Sequence, residues 1–422
     1  MANSLTPTDV YAVVNAMAAE MFGSANSLTA FNTSSFVTVG EHMLRAGYTN
    51  TLDALSVVIG RTIVAARPYR GRFRIVVAIP EEWGGITRKI SYYATKEEET
   101  TSFNTNVNSL SPPLVDGGSV DQWVITKQYP LEMNFCGLKV EQKTYTTFVD
   151  QLKMAFTSEA AFAEFMSGRL VAIANDLEVA WEARNRLLIL NAIGATYNVG
   201  AARSVVNMTT EFNTHYSTNY TTSDLLTTYL KDFVAFFVAK LEGDLELARD
   251  YNELFHIYPA RNDDGGNALV LPRHTPPAMR RLLLFMPVLR LEEKTIFPAL
   301  FNTSTLRIED YEAVEYWQNP NVPAGVDIVP NQLNTVNGQS ANGNRVQLST
   351  VLGLMFDRDA LATSVKIEDV YTTPINAKGK YFNTVYHWAF QHKLDQTENM
   401  ILYYMDDTDV VEEPADDGGG LG

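Results

Sequence analysis

Apolar positions along this chain follow two different periods, and the change from one to the other marks out its elements. Between Glu159 and Ile193, Phe162, Phe165, Met166, Leu170, Ile173, Leu177, Trp181, Leu187 and Leu188 recur mostly every three or four residues. Glu164, Asp176, Glu178, Glu182 and Arg186 largely take other faces. This spacing predicts one amphipathic helix of roughly 50 Å at about 1.5 Å per residue. Ser158 is its expected N-cap, Glu159 places an anion where the helix dipole favours one, and Gly194 is its expected stop. Helices in globular domains average about 11 or 12 residues, so a rod of this length implies a backbone for something extended. A second helix is predicted from Leu226, Leu230, Phe233, Phe237 and Leu241, with Ser223 as N-cap, Asp224 in the first turn and Gly243 as its end. Tyr229 and Phe236 on that helix read as core rather than as a ligand pocket.

Elsewhere the period is two. Arg72–Pro80 and Ile86–Tyr93, separated by Gly84 and Gly85, predict a strand and its return. After a Ser/Thr/Asn/Glu stretch over 94–118, strand character resumes at Trp123–Thr126 and Leu138–Val140, so 72–142 reads as a long hairpin with an insertion. Leu282–Met286, ended by Pro287, has the continuous apolar run of a strand buried on both faces. A third helix is expected over 291–301 and a strand over 351–356. The Asn, Pro, Gly, Gln and Val composition of 318–345 predicts a loop too long to be a plain connection. In the last structured stretch Phe382, Thr384, Tyr386, Trp388 and Phe390 share one parity, which predicts a strand with an aromatic face, and 399–405 is its expected partner strand. At the ends, 3–35 predicts a polar arm with one helix. The seven acidic residues of 406–422, with no basic ones, predict a disordered tail.

Composition narrows the function. A chain of 422 residues that is 46% hydrophobic has material for two or three substructures. Its 33 Lys and Arg against 49 Asp and Glu give a formal charge of −16, which argues against tight binding of nucleic acid through phosphate neutralisation. Cys136 is the only cysteine, so no intramolecular disulfide forms, and it is expected to be a small buried hydrophobe. No basic segment leads into an apolar run at the start, and nowhere do 18 apolar residues follow one another, so a soluble chain of cytoplasmic origin is expected. Phosphate-cradling, dinucleotide, zinc-protease and nucleophile-elbow motifs are all missing. His387 and His392 are the only histidines close in sequence, and five residues apart on a strand they face opposite sides. The pairs Glu81–Glu82, Asp263–Asp264 and Asp406–Asp407 fall in predicted turns or the tail, and Asp357 and Asp359 lack the further ligands of a calcium loop. No catalytic residue, cofactor or metal site is expected.

Four stretches carry a family resemblance: the long helix from Glu159–Phe162 to Leu187–Leu190, the helix Leu225–Leu241, the unit from Met279–Leu282 through Ala299–Asn302, and the end Lys380–Trp388. In order and spacing they resemble the major capsid proteins of tailed bacteriophages, an α+β fold of the HK97-like type, and most closely those of the phi29-like phages. The resemblance implies an N-terminal arm (1–71), an extended loop (72–142) and a peripheral domain (143–222 with 372–405) built on a spine helix (159–193). It also implies an axial domain (223–371), ahead of the acidic tail (406–422). Late strands should then pair with the early segment around Val140. It further implies assembly into an icosahedral or prolate shell in the host bacterial cytoplasm, in pentamers and hexamers of the chain, with a scaffolding protein, a portal protein and weakly held double-stranded DNA as partners and no membrane. No C-terminal immunoglobulin-like module is visible, and no Lys and Asn pair for cross-linking stands out. Arginines and aromatics are enriched where subunits meet, so Arg72, Arg74, Trp83 and Trp123 are the expected inter-subunit residues. An encapsulin-like compartment, a soluble enzyme with a site assembled from distant segments, and a fibre or adhesin are the competing readings.

Overall fold

The structure is a computed structural model that describes residues 7–22, 29–46, 71–76, 86–94, 128–136, 139–151, 159–201, 203–264, 266, 268–290 and 311–407. Helices α1 (Pro7–Phe22) and α2 (Thr33–Ala46) come first, then strands β1 (Ile86–Tyr92), β2 (Pro130–Cys136) and β3 (Lys139–Phe148). Helix α3 (Glu159–Val199) is followed by β4 (Val205–Asn207), α4 (Met208–Tyr216), α5 (Thr222–Thr227) and α6 (Leu230–Arg249). Strand β5 (Arg280–Phe285) and the single turn α7 (Met286–Leu289) precede β6 (Tyr311–Val314), β7 (Val326–Ile328), β8 (Asn331–Leu333), β9 (Ser340–Asn342) and β10 (Val346–Leu348). The chain then forms β11 (Thr350–Asp357), β12 (Leu361–Thr372), β13 (Tyr381–Leu394) and β14 (Met400–Met405).

Two compact units emerge. The first comprises Met1–Ile86, Cys136–Leu188 and Ala362–Lys393. Its sheet has the order β12-β13-β3, and β13 runs antiparallel to β3 with Ala389 opposite Val140 and Tyr381 opposite Phe148. The pairing of late chain with the segment around Val140 is therefore present. Opposed residues of an antiparallel pair share a face, so Phe382, Tyr386, Trp388 and Phe390 lie on the same side as Glu141, Lys143 and Tyr145. That face meets α3. Trp181 packs edge-on to Phe390, the Lys143 ammonium lies 2.5 Å from the Asp176 carboxylate, Tyr145 donates to Asp176, and Arg184 pairs with Glu141. Alternate residues of one strand thus step along successive turns of the helix, as periods of 2.0 and 3.6 allow.

Helices α1 and α2 complete this core. Val14, Met17, Phe36, Val39 and Met43 are buried in one cluster with Ile173, Trp181, Phe382 and Phe390. The N-terminal segment expected to be an arm with one helix thus supplies two helices, and its apolar residues find in the sheet and long helix the core they could not build alone.

The second unit comprises Thr87–Phe135, Ile189–Leu361 and Leu394–Gly422. Its main sheet has the order β4-β14-β11-β5-β6, antiparallel at the centre and parallel at both edges. Strand β11 is buried along its whole length, and β5 nearly so, as the run before Pro287 required. Phe233, Phe237, Leu241 and Leu245 of α6 share a buried cluster with Leu282, Leu284, Met355, Ile401 and Tyr403 of the sheet.

Several boundaries differ from the sequence reading. The long helix passes through Gly194 and ends at Val199. A Cβ on Gly194 would lie 2.8 Å from Ile328 Cγ2, so this glycine serves close packing; the actual stop is Gly200, where a Cβ would lie 2.4 Å from the carbonyl of Thr196. On the same helix Glu178 is buried and Leu187 is exposed, the reverse of their expected faces. The second helix is two, α5 and α6, parted at Tyr229. Its cap is Thr221, not Ser223: the Thr221 hydroxyl accepts from the Asp224 N–H while the Asp224 carboxylate accepts from the Thr221 N–H. Gly243 lies inside α6.

Residues 74–76 form a 3-10 turn after Phe73, whose φ is 61°, rather than a strand. The expected loop over 318–345 holds β7, β8 and β9, with β10 closing on β7 just beyond it, so it is two small paired ribbons. Strand β14 pairs with β11 and β4, not with β13. Cys136 ends β2 on its exposed parity and is not buried. Asp406 and Asp407, expected in the tail, are tied down: Asn207 bonds the Asp406 backbone, and the Asp407 carboxylate accepts from the Thr222 N–H and hydroxyl at 2.6 Å each. The helix expected over 291–301, the strand over 123–126 and the pair Glu81–Glu82 lie outside the described residues.

Candidate functional site

Among the described residues no group of three His, Cys, Asp or Glu side chains is placed to hold a metal ion. No described helix is long and apolar enough to cross a membrane. A cavity of about 10 Å³ bounded by Thr196, Gly200, Ser204, Phe255, His256, Gln396 and Met400 has room for about one water and is no small-molecule site. His387 stacks edge-on with Tyr371, and His392 is placed to share a hydrogen bond with the Thr363 hydroxyl at 3.2 Å, so the two are used separately. Asp357 Oδ1 accepts from the Asp359 N–H in a local turn. Among the described residues, two clusters of charged groups instead tie together segments distant in sequence.

One lies in the first unit. Gly71–Val76 is clasped to α3 through the buried carboxylate of Glu178, which accepts from the Gly71 N–H at 2.8 Å and from the Arg74 guanidinium. Phe73 is buried, and the Arg186 guanidinium sits over its ring at 4.7 Å, held in turn by Glu182 at 2.9 Å. A Cβ on Gly71 would lie 3.3 Å from both Glu178 and Glu182, so a residue without a side chain lets the backbone approach the helix. Arg74 is thus engaged within its own chain, while Arg72 is exposed. Trp83 and Trp123 lie outside the described residues.

The other lies in the second unit, at the root of the β1–β2 ribbon. Lys89 of β1 reaches the corner 394–399, where its ammonium lies 2.5 Å from the Asp395 carboxylate and also pairs with Glu398. Arg273 joins from another segment, donating to the Thr397 carbonyl at 3.0 Å and the Ser91 hydroxyl at 2.7 Å, with Glu398 at 3.5 Å. Two cations and two carboxylates, Asp395 fully buried, balance one another, which makes burial of the charges tolerable. Beside them Tyr93 packs with Leu269 and Leu271 and donates to the Pro259 carbonyl at 2.6 Å; burial pushes its phenol upward. The outer face of the ribbon carries Ile90 and Tyr92, both exposed, and the Arg88–Glu132 pair. Neither Lys89 nor the 394–399 corner was marked by the sequence.

A scan against protein-family models finds no match, and no curated protein matches. Among solved structures, a chain from the capsid structure of Staphylococcus phage Andhra superposes with a TM-score of 0.51 at 9% identity, covering 80% of this chain and 84% of that one. The chain has the HK97-like capsid fold. A chain from the structure of the head fiber and inner core protein of native bacteriophage P68 gives a TM-score of 0.47 at 10% identity over 80% of this chain and 85% of that one. One from the capsid of Cyanophage P-SCSP1u gives 0.41 at 11% identity over 81% and 90%. In the HK97-like fold of this chain, the feature that first set the sequence apart, a very long helix backed by a sheet of early and late strands, is the frame from which the 71–76 clasp departs.

Proposed function

We propose that this chain is the major capsid protein of a tailed bacteriophage and assembles with copies of itself into the shell that encloses a double-stranded DNA genome. The single observation that carries this reading is the fold shared with the Andhra capsid chain over four fifths of each molecule.

On this reading 143–222 with 372–405, which hold α3 and most of the three-stranded sheet, make the peripheral domain, 223–371 with α6, β5 and β11 make the axial domain, and the β1–β2 ribbon is the root of an extended loop that reaches a neighbour. The order of parts is that of the phi29-like phages. Arg72, Trp83 and Trp123 are contacts between subunits, whereas Arg74 mainly fastens its own loop. A scaffolding protein and a portal guide assembly in the host cytoplasm, and the acidic balance of −16 keeps the packaged DNA movable, since an acidic wall gains nothing from phosphate contacts.

Negative-stain microscopy of the full chain, expressed with and without a scaffolding partner, tests the proposal. Closed shells, rings or sheets are expected. A stable monomer under every condition overturns it in favour of a soluble enzyme, and shells that copurify with a cargo enzyme and no portal point to an encapsulin-like compartment.

A further inference from the structure

Beneath the root of the ribbon, four side chains from four segments of the second unit form one buried chain. His256 Nδ1 lies 3.0 Å from Asn399 Oδ1, Asn399 Nδ2 lies 3.2 Å from Thr275 Oγ1, and Thr275 Oγ1 lies 2.8 Å from Asp357 Oδ2. At one end His256 Nε2 meets the Leu271 carbonyl at 2.6 Å; at the other Asp357 Oδ1 accepts from the Asp359 N–H at 2.9 Å. All four side chains are nine-tenths or more buried. The backbone is stitched at the same points: Met400 N–H to Phe255 O, Asp357 N–H to Asn399 O, and Thr275 N–H to Ala248 O, each at 2.7 to 2.9 Å.

Counting protons along this chain gives an unusual result. With the Asn399 amide oxygen toward His256, every bond is made only when both imidazole nitrogens carry hydrogen and Asp357 is ionised. With the amide turned the other way, a half-turn that leaves its shape unchanged, every bond is made by a neutral set: Asp357 Oδ2–H donates to Thr275, Thr275 to Asn399 Oδ1, Asn399 Nδ2–H to His256 Nδ1, and His256 Nε2–H to Leu271. Both arrangements hold the same number of protons. One proton more leaves two donors facing each other somewhere along the chain; one fewer leaves two acceptors face to face. A mismatch in a buried polar chain is costly because no water relieves it.

We propose that His256, Asn399, Thr275 and Asp357 form a proton-counting latch that fastens the 394–399 corner, and with it the seat of Lys89, only while the chain holds one shared proton. In this latch the neutral set is the resting one. Burial pushes His256 below and Asp357 above their ordinary values, which favours that set. The charged groups around the latch are Arg273, Glu398 and Asp359, with Lys89 and Asp395 bound to Glu398's corner and Arg280 opposite Asp357 in β5; the Tyr258 ring lies 5.7 Å from that of His256. The two apparent titrations belong to the chain as a whole rather than to either end.

The full chain's melting temperature, measured across pH, is expected to pass through a maximum and fall on both sides. Asp357→Asn keeps an N–H toward Thr275 but has no proton to lose, so it should abolish the alkaline fall and retain the acid one. Infrared spectra give a readout independent of stability: the C=O band of a protonated carboxyl at neutral pH should shift in Thr275→Val, which removes the hydroxyl that Asp357 faces. Any band from Asp244, which is also buried and pushed upward, should not move in that variant. An alkaline fall unchanged in Asp357→Asn, or, should that variant not fold, a carboxyl band unmoved in Thr275→Val, overturns the latch.

Discussion

Glu178 and Asp395 each hold a segment distant in sequence through one buried carboxylate. Arg74→Ala would take from the buried Glu178 its Arg74 guanidinium and should lower stability by about 1–3 kcal/mol in urea unfolding. Arg72→Ala removes an exposed side chain and should stay within about 0.5 kcal/mol, while reducing assembly yield if Arg72 contacts a neighbouring subunit. Lys89→Ala strips the buried Asp395 of its closest cation and should cost about 3–5 kcal/mol, measured the same way. Histidine adds a pH dependence. Burial, with Arg184 and Lys139 nearby, holds His392 below the ordinary value of about 6.5. The unfolded chain therefore takes up the proton first, so the stability that neutral His392 contributes is complete above about pH 6.5 and is lost as pH falls toward its folded value. Melting temperatures should drop between pH 7.5 and 5.5, and His392→Gln should flatten the slope. The roles of Glu178, Lys89 and His392 were not visible in the sequence, because each depends on a partner that only the fold supplies: Glu178 sits 107 residues from Gly71.

At the scale of elements, local pattern succeeded where one face of one element decides the answer. The parity of Phe382, Tyr386, Trp388 and Phe390 gave the buried face of β13, and the run before Pro287 gave β5. Pattern failed where two residues of one kind serve different ends. Gly194 and Gly200 look equally like helix stops, and only the approach of Ile328 and Pro330 separates them. Gly194→Ala should therefore destabilise by about 1–3 kcal/mol through overpacking. Gly243→Ala, in α6 with nothing within 4 Å of the new Cβ, should stabilise by roughly 0.5–1 kcal/mol. Thermal unfolding of the two variants would show opposite signs, and equal signs would mean that the close approach at Gly194 is wrong. The ribbons between 326 and 348 escaped notice because their strands have three residues each, too few to establish a period.

For the whole molecule, the excess of 16 negative charges sets how it meets nucleic acid. In about 0.15 M salt its dissociation constant for a random DNA duplex, read by fluorescence anisotropy, should be weaker than about 10⁻⁴ M, the weak end of non-specific binding by DNA-binding proteins. A micromolar value would contradict the role given to that charge. The order of the three-stranded sheet acts on another timescale altogether. Thr146 of β3 and Asn383 of β13, which bond across the pair, are 237 residues apart. At about 5–20 residues per second, a ribosome needs roughly 10–50 s after making β3 to deliver its partner. Throughout that interval β3 is an unpaired edge, open to the same strand of another nascent copy on a neighbouring ribosome. The rate of translation, as much as the concentration of finished protein, then decides how many chains reach a usable fold.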